Sequence, residues 1–332
     1  MTLQKTQKTT KERTPWGYLC LVFILLFSLA LLLRRADVAA DCMRKGLSLC
    51  ARTIVPSLFP FLVLSELLVA SGAGERLFLP LTRPLGKILG LSHTGCSAVA
   101  LGLLCGFPVG ARCAILAYEK NTITRAECER AIAASSIPSS AFLISTVGAM
   151  LWKDKSLGIF LYVCAIVSAL LSGILIYAVQ KRKQKGEKST RDLQPPPIRF
   201  DASMFTSSVR NATVSTLLIC AYVVFFSTLT GAVGLILGRF GVNETISAIL
   251  SALLELSSGT VTASMLSNRY LAILLTAAAV GWSGISVHCQ MLSVCEGHRL
   301  SVRPYFAAKL IQALLCPLLI SAVFLFDICI CT

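Results

Sequence analysis

Charge is what this sequence has least of. Of its 332 residues only 14% are charged while 55% are hydrophobic, and the mean hydropathy is +0.75. A soluble domain carries about 25% charged residues, so a soluble fold is excluded and the chain reads as an all-α, polytopic integral membrane protein. Processing and catalytic signatures are missing as well. No small-residue cleavage site follows the apolar run from Tyr18 to Leu33; Arg34-Arg35 stands there instead, so the run reads as an uncleaved first helix. There is no phosphate-cradling glycine loop, no HExxH and no serine elbow, and the protein is not expected to be an enzyme. No CxxC or Cys/His ligand spacing occurs. Most of the 14 cysteines, such as Cys20, Cys105, Cys164, Cys220 and Cys316, sit in apolar stretches where they act as small hydrophobes. No metal and no cofactor is expected.

The charge that is present is unevenly placed. The net charge of +15 is gathered in short loops, first at Lys5, Lys8, Lys11 and Arg13, then at Lys181, Arg182, Lys183, Lys185, Lys188 and Arg191. Such clusters beside apolar segments mark cytoplasmic loops rather than a nucleic-acid surface. Segments near the length of about 20 residues that spans a bilayer fall at 17–33, 47–70, 95–118, 131–151, 157–179, 212–238, 246–266, 271–295 and 305–328. The expectation is about 8 transmembrane helices, some broken or re-entrant. The piece 76–92 mixes Pro80, Pro84, Arg76, Arg83 and Lys87 with leucines and suits the membrane interface.

Parity sets a constraint. Five segments separate the two basic clusters, and five crossings would put them on opposite sides. Either one of the interrupted segments, 95–118 or 131–151, dips in and returns, or the basic tail lies outside. The chain divides into a basic tail with a first helix (1–40), a first repeat (41–180), a basic and proline-rich cytoplasmic linker (181–204) and a second repeat (205–332). In order, 95–118 pairs with 246–266 and 131–151 with 271–295. By residue pattern, Gly106-Phe107-Pro108-Val109 matches Gly284-Ile285-Ser286-Val287 out of order. Both registers stand at this point, and an odd segment count per half suggests inverted repeats.

Candidate chemistry lies at the breaks and at intramembrane charges, which are rare and usually face an interior or a cavity. The breaks are Cys105-Gly106-Phe107-Pro108-Val109-Gly110-Ala111-Arg112, Ser135-Ser136-Ile137-Pro138-Ser139-Ser140 and Gly281-Trp282-Ser283-Gly284-Ile285-Ser286-Val287-His288-Cys289-Gln290. Arg112 either receives a carboxylate with its planar fork, or snorkels or pairs with Glu119. Glu255 carries a proton, hydrogen-bonds a substrate, or forms a structural ion pair. His288, with Gln290, either serves substrate or proton or packs a helix. Arg52, Pro56, Pro60 and Glu66 share one helix, where the prolines predict a kink. Lys309 and Asp327 lie near segment ends, where long side chains snorkel.

These runs, with Leu253-Leu254-Glu255-Leu256-Ser257-Ser258-Gly259 and Pro56-Ser57-Leu58-Phe59-Pro60-Phe61, resemble the nucleoside-recognition (Gate) domain membrane proteins. Within that family they are most similar to the stage V sporulation integral membrane proteins of endospore formers, over roughly residues 45–325. The resemblance implies a fold related to concentrative nucleoside transporters, with helical hairpins meeting at mid-membrane, and movement of dipicolinate across the outer forespore membrane. The substrate site expected on this reading comprises Gly106, Pro108, Gly110, Arg112, Pro138, Ser139, Glu255, Gly259, Gly284, Ser286, His288 and Gln290. Arg112 would pair the anion, Ser286, His288 and Gln290 would hydrogen-bond it, and Glu255 would carry a proton or fix register. Expected partners are a small anionic solute (dipicolinate), membrane lipid, and a second copy or other sporulation membrane proteins, with no nucleic acid. The alternatives are a carrier of nucleosides or other small solutes, or a non-transporting scaffold for spore morphogenesis.

Overall fold

The computed structural model describes residues 36–183 and 198–331, together with isolated positions at 26, 29, 30, 33 and 34; side chains are described up to residue 323, except those of Ser57 and Glu75. The basic tail, most of segment 17–33, residues 184–197 of the linker and the side chain of Asp327 lie outside what is described. All regular elements among the described residues are helices. In the first half they are α1 (Ala36–Leu49), a π-helical turn (Cys50–Ile54), α2 (Val55–Ala70), the short α3 (Ala73–Leu77), α4 (Leu79–Leu89), α5 (His93–Cys105), α6 (Val109–Glu119), α7 (Arg125–Ser135), a π-helix (Ala141–Trp152) and α8 (Lys155–Lys183). The second half has α9 (Ala202–Arg239), α10 (Glu244–Leu254), α11 (Leu256–Ser264), α12 (Arg269–Trp282), α13 (Gly284–Cys295) and α14 (Arg303–Cys331).

Four stretches, Lys155–Arg182, Ala202–Arg239, Arg269–Cys295 and Arg303–Val323, are each long and apolar enough to cross a bilayer; counting bent pairs raises this to as many as six. The chain is a multi-pass membrane protein. The segment expected at 47–70 is longer than the sequence suggested, and it bends as its prolines predict. It starts at Ala36 and turns by 52° between Ile54 and Leu58, at Pro56, whose ring removes a backbone donor. α4 meets α5 at 102°, which lays the 76–92 region across the bundle as an interfacial stretch would lie.

Contacts at the two ends of the bundle give every segment a direction. At the linker end the Arg199 N–H donates to Ser71 O, Lys120 Nζ to Ala70 O, and the Ser301 N–H to Glu129, while His298 Nε2 meets Glu119 at 2.6 Å. At the opposite end Arg269 stands 4.0 Å from Asp154, and Gly231 packs on Cys42. Residues 36–70 therefore run toward the linker end. α5 leaves that end and α6 returns to it; α7 and the π-helix cross away, and α8 crosses back. In the second half α9 crosses away, α10 and α11 form a hairpin from the opposite end, and α12–α13 and then α14 cross.

Both halves thus follow one order — helix, hairpin, broken helix, closing helix — in opposite orientations. The in-order register holds: 95–118 and 246–266 are hairpins, while 131–151 and 271–295 are broken helices that cross. Of the segments expected to span, the two hairpins enter and turn back, and 17–33 is not described; among the described residues six run from one end of the bundle to the other. Among the described segments between the two basic clusters, 95–118 is the one that turns back.

The hairpins close because small residues let their arms touch. A Cβ built on Gly102 would stand 2.7 Å from Gly110 Cα, and one on Gly259 only 2.3 Å from Ala252 Cα. The same economy of size packs the bundle, whose fully buried positions include Cys96, Ala98, Ala114, Cys128, Ala131 and Ala134. In lipid, where helix association gains little from the hydrophobic effect, close backbone approach is the main source of packing energy.

Candidate functional site

The first hairpin's tip rests on the break of the first broken helix. Gly106 has φ +83°, and a Cβ there would lie 2.4 Å from Ser139 N, so only glycine lets the tip seat. The Phe107 N–H donates to Ile137 O at 2.8 Å, and the Phe107–Pro108 peptide is cis. The carbonyls left over at the end of α5 need partners in a medium without water. Tyr162 Oη donates to Leu103 O (2.8 Å) and Ser140 Oγ to Leu104 O (3.1 Å). Ser139 Oγ in turn accepts from the Phe142 N–H at the start of the π-helix.

The second hairpin repeats the arrangement with other residues. Its tip is the single extended residue Glu255, against which Gly284 packs with φ +80°; a Cβ on Gly284 would lie 3.0 Å from Glu255 Cα. Trp282 Nε1 donates to Leu253 O (3.2 Å), the counterpart of Tyr162 in the first half. The Glu255 carboxylate caps α11. Oε1 accepts from the Ser257 N–H (2.9 Å), and Oε2 accepts from the Ser258 N–H (2.7 Å) and Ser258 Oγ (2.8 Å). The positive end of α11 offsets part of this buried charge, and no cation pairs with Glu255 among the described residues. The intramembrane carboxylate is held as a helix cap rather than in an ion pair.

Both tips and both breaks meet at one cavity of about 70 Å³. The first half contributes Phe107 from the tip and Pro138, Ser139 and Phe142 from the break; the second contributes Glu255, Leu256 and Ser257 from the tip and Val287 and Gln290 from beyond the break. Thr53, Ile54 and Leu58 at the bend of the first helix, and Ile219 and Val223 of α9, complete the wall. Phe142 and Ser257 also line a larger vestibule of about 590 Å³. It opens toward the end opposite the linker, among Lys45, Thr146, Ser227, Thr230, Ser247, Ser251 and Thr262. Solute sites commonly measure about 300–1,000 Å³, so the vestibule has room for a ring-sized molecule and the inner cavity, in this conformation, does not.

Of the expected site residues, Pro138, Ser139, Glu255 and Gln290 line the cavity. Gly106 and Pro108 form a tip, Gly284 forms a break, and Gly110 and Gly259 pack hairpin arms. Arg112, Ser286 and His288 do not reach it. Arg112 Nε donates to Glu66 Oε1 at 2.9 Å, with Asn211 a further partner of that carboxylate, so its partner is neither Glu119 nor open space. His298 takes Glu119 instead. His288 lies in a cage of Trp282, Tyr305 and Phe306, with Nδ1 2.7 Å from Tyr305 Oη. Its Nε2 and Ser286 Oγ are buried without a hydrogen-bond partner. The 100° helical step explains the split: Val287 and Gln290 share the face toward the cavity, while Ser286 and His288 project to either side.

Sequence reasoning missed two features. Lys309, expected to snorkel, is completely buried beside Gln312; the available signal was a polar pair at i, i+3 on one face of an apolar helix. The hydroxyl-rich vestibule was also missed, because its serines and threonines are shared among four separate helices, the π-helix, α9, α10 and α11. Among the described residues no group of three or more His, Cys, Asp or Glu is placed to hold a metal ion.

The sporulation integral membrane protein YlbJ of Bacillus subtilis (strain 168) is 22% identical to this chain over 324 residues, an overlap that covers 86% of this chain and 78% of that protein. No family model and no solved structure matches the chain.

Proposed function

We propose that the protein is a transporter that moves dipicolinate, or a similar small carboxylate, across the outer forespore membrane during sporulation, and that it is a carrier of the Gate-domain kind rather than an enzyme. The observation that carries the reading is the convergence of two oppositely inserted hairpin tips and the segments around two helix breaks on one cavity that adjoins a roomy vestibule. Breaks in two halves that meet at mid-membrane are the hallmark of a carrier's solute site. The similarity to a sporulation integral membrane protein supports the setting, and the resemblance of the break motifs supports the solute.

The chemistry on offer to a carboxylate is specific. Lys45 brings positive charge to the vestibule, and the hydroxyls around it donate hydrogen bonds to acceptor-only oxygens. Deeper in, the amide of Gln290 faces the cavity, and Ser139 places the N-terminal end of the π-helix at its wall. Arg112 does not take part; its role is the ion pair with Glu66. A second reading has its own support: the inner cavity is lined by Glu255 and Gln290 and by no cationic side chain, which also suits a neutral hydrogen-bonding solute such as a nucleoside.

Purified protein in lipid vesicles separates the two. The expected result is saturable uptake of labelled dipicolinate that unlabelled dipicolinate inhibits and uridine does not. Uptake of labelled uridine with none of dipicolinate would transfer the assignment to the second reading.

A further inference from the structure

Lys309 is completely buried, at 0% exposure, on the apolar closing helix α14. Its Nζ donates to Ser136 O at 3.0 Å and to Gln312 Oε1 at 2.9 Å. Gln312 Nε2 continues to Ser172 Oγ (3.1 Å), whose hydroxyl donates to Ala169 O. No ion pair among the described residues includes Lys309. An ammonium without a counter-ion is costly at membrane depth. The compensation here is the Ser136 carbonyl just past the end of α7, where the negative end of a half-helix points. Carriers hold coupling cations with such unwound carbonyls and half-helix C-terminal ends. At this break the chain supplies a cation of its own.

The groups around Lys309 leave it as the charge of the cluster. On its own helix the neighbours are Tyr305, Gln312 and Cys316; α13 presents His288, bonded to Tyr305; α8 presents Ser172, and Cys164 facing Cys316; the break after α7 presents the Ser136 carbonyl. None is a carboxylate. Three hydrogen bonds hold the break: the Phe107 N–H on Ile137 O and Ser140 Oγ on Leu104 O, both to the hairpin of its own half, and Lys309 on Ser136 O from the closing helix of the other half. Of these, the bond from Lys309 is the one made by a charged group.

We propose that Lys309 is the proton site of the transport cycle, its ammonium clamping Ser136 so that the first broken helix stays closed, and its neutral amine releasing it. The proton lost from Nζ passes to water that reaches the break as it opens, and the charge-assisted bond to Ser136 O falls to a neutral one of about half the strength. Pro138 and Ser139, two and three residues on, are then free to move at the cavity wall. The inference rests on the transporter reading and adds the coupling ion to it.

Hydrogen exchange of the substrate-free full chain in nanodiscs, followed by mass spectrometry over 136–141 and corrected for the intrinsic effect of pH, tests the clamp. In the unmodified protein exchange there is expected to be about ten-fold slower at pH 6 than at pH 9. Lys309→Arg, whose guanidinium keeps its charge, is expected to be slow at both, and Lys309→Gln fast at both. An unmodified protein with no pH dependence, a Gln variant as protected as the parent, or an Arg variant that follows the parent's pH curve overturns the proposal. If Lys309→Gln does not fold, the comparison of parent with Arg variant decides alone. In vesicles, Lys309→Gln is expected to exchange labelled dipicolinate across the membrane yet lose accumulation driven by a pH gradient; accumulation equal to the parent's contradicts it. A parent that moves no dipicolinate removes the transport reading, while the exchange data still judge the clamp.

Discussion

Glu66 and Arg112 stand 46 residues apart in the chain and 2.9 Å apart in space, one on the bent first helix and one on the returning arm of the first hairpin. The carboxylate side chain is 9% exposed and the guanidinium 31%. Surface pairs contribute less than about 1 kcal/mol, whereas breaking a fully buried pair costs about 3–5 kcal/mol. This half-buried pair falls between, so Arg112→Gln is expected to lower stability by about 2 kcal/mol, chiefly by stranding Glu66. Removing both partners is then expected to cost no more than removing one. Denaturant titration of the singles and the double in detergent measures this; additive losses would mean that the two residues act independently. The partner choice was not legible in the sequence, where Glu119, seven residues on, is the obvious candidate. Seven residues are about two helical turns, and the first helix happens to bring Glu66 nearer. Lys309 was misjudged for a related reason: its carbonyl partner lies 173 residues away, and the nearby Gln312 was the one local sign of a buried lysine.

At the level of elements, glycine and proline marked where segments break. They did not mark what the chain does next. Gly106-Phe107-Pro108 and Glu255 turn the chain back, whereas Ile137-Pro138-Ser139 and Ser283-Gly284 let it continue across. The difference lies in the arms: Gly102 with Gly110 and Ala252 with Gly259 permit antiparallel contact, and the broken helices have no such pair around their breaks. Gly259→Ala is therefore expected to destabilise the protein by about 1–3 kcal/mol, since its methyl would overlap Ala252 and overpacking forces the backbone to shift. Gly238→Ala is the control. Nothing lies within 4 Å of that position, and replacing a helical glycine with alanine is worth up to about 1 kcal/mol in the favourable direction. Thermal melting of both variants checks the contrast. Equal shifts would show that the hairpin arms are not in close contact.

For the whole molecule, the membrane class and the kink at Pro56 were readable from composition and pattern. The register of the duplication was not, because its two halves share an order of elements rather than residues: Tyr162 and Trp282 cap corresponding hairpins, and Glu255 stands where the first half has Gly106-Phe107-Pro108. The hairpins enter from opposite ends of the bundle, and this puts Glu255 and Gln290 of one half on the same cavity as Pro138 and Ser139 of the other. Transport during sporulation, as proposed, is the central claim. It is tested most directly by the dipicolinate content of spores from a strain lacking this protein with dipicolinate synthesis intact. The account predicts assembled, coated spores nearly empty of dipicolinate, with the compound left in the mother cell or medium and the content restored by the unmodified gene. Spores of normal dipicolinate content would contradict it.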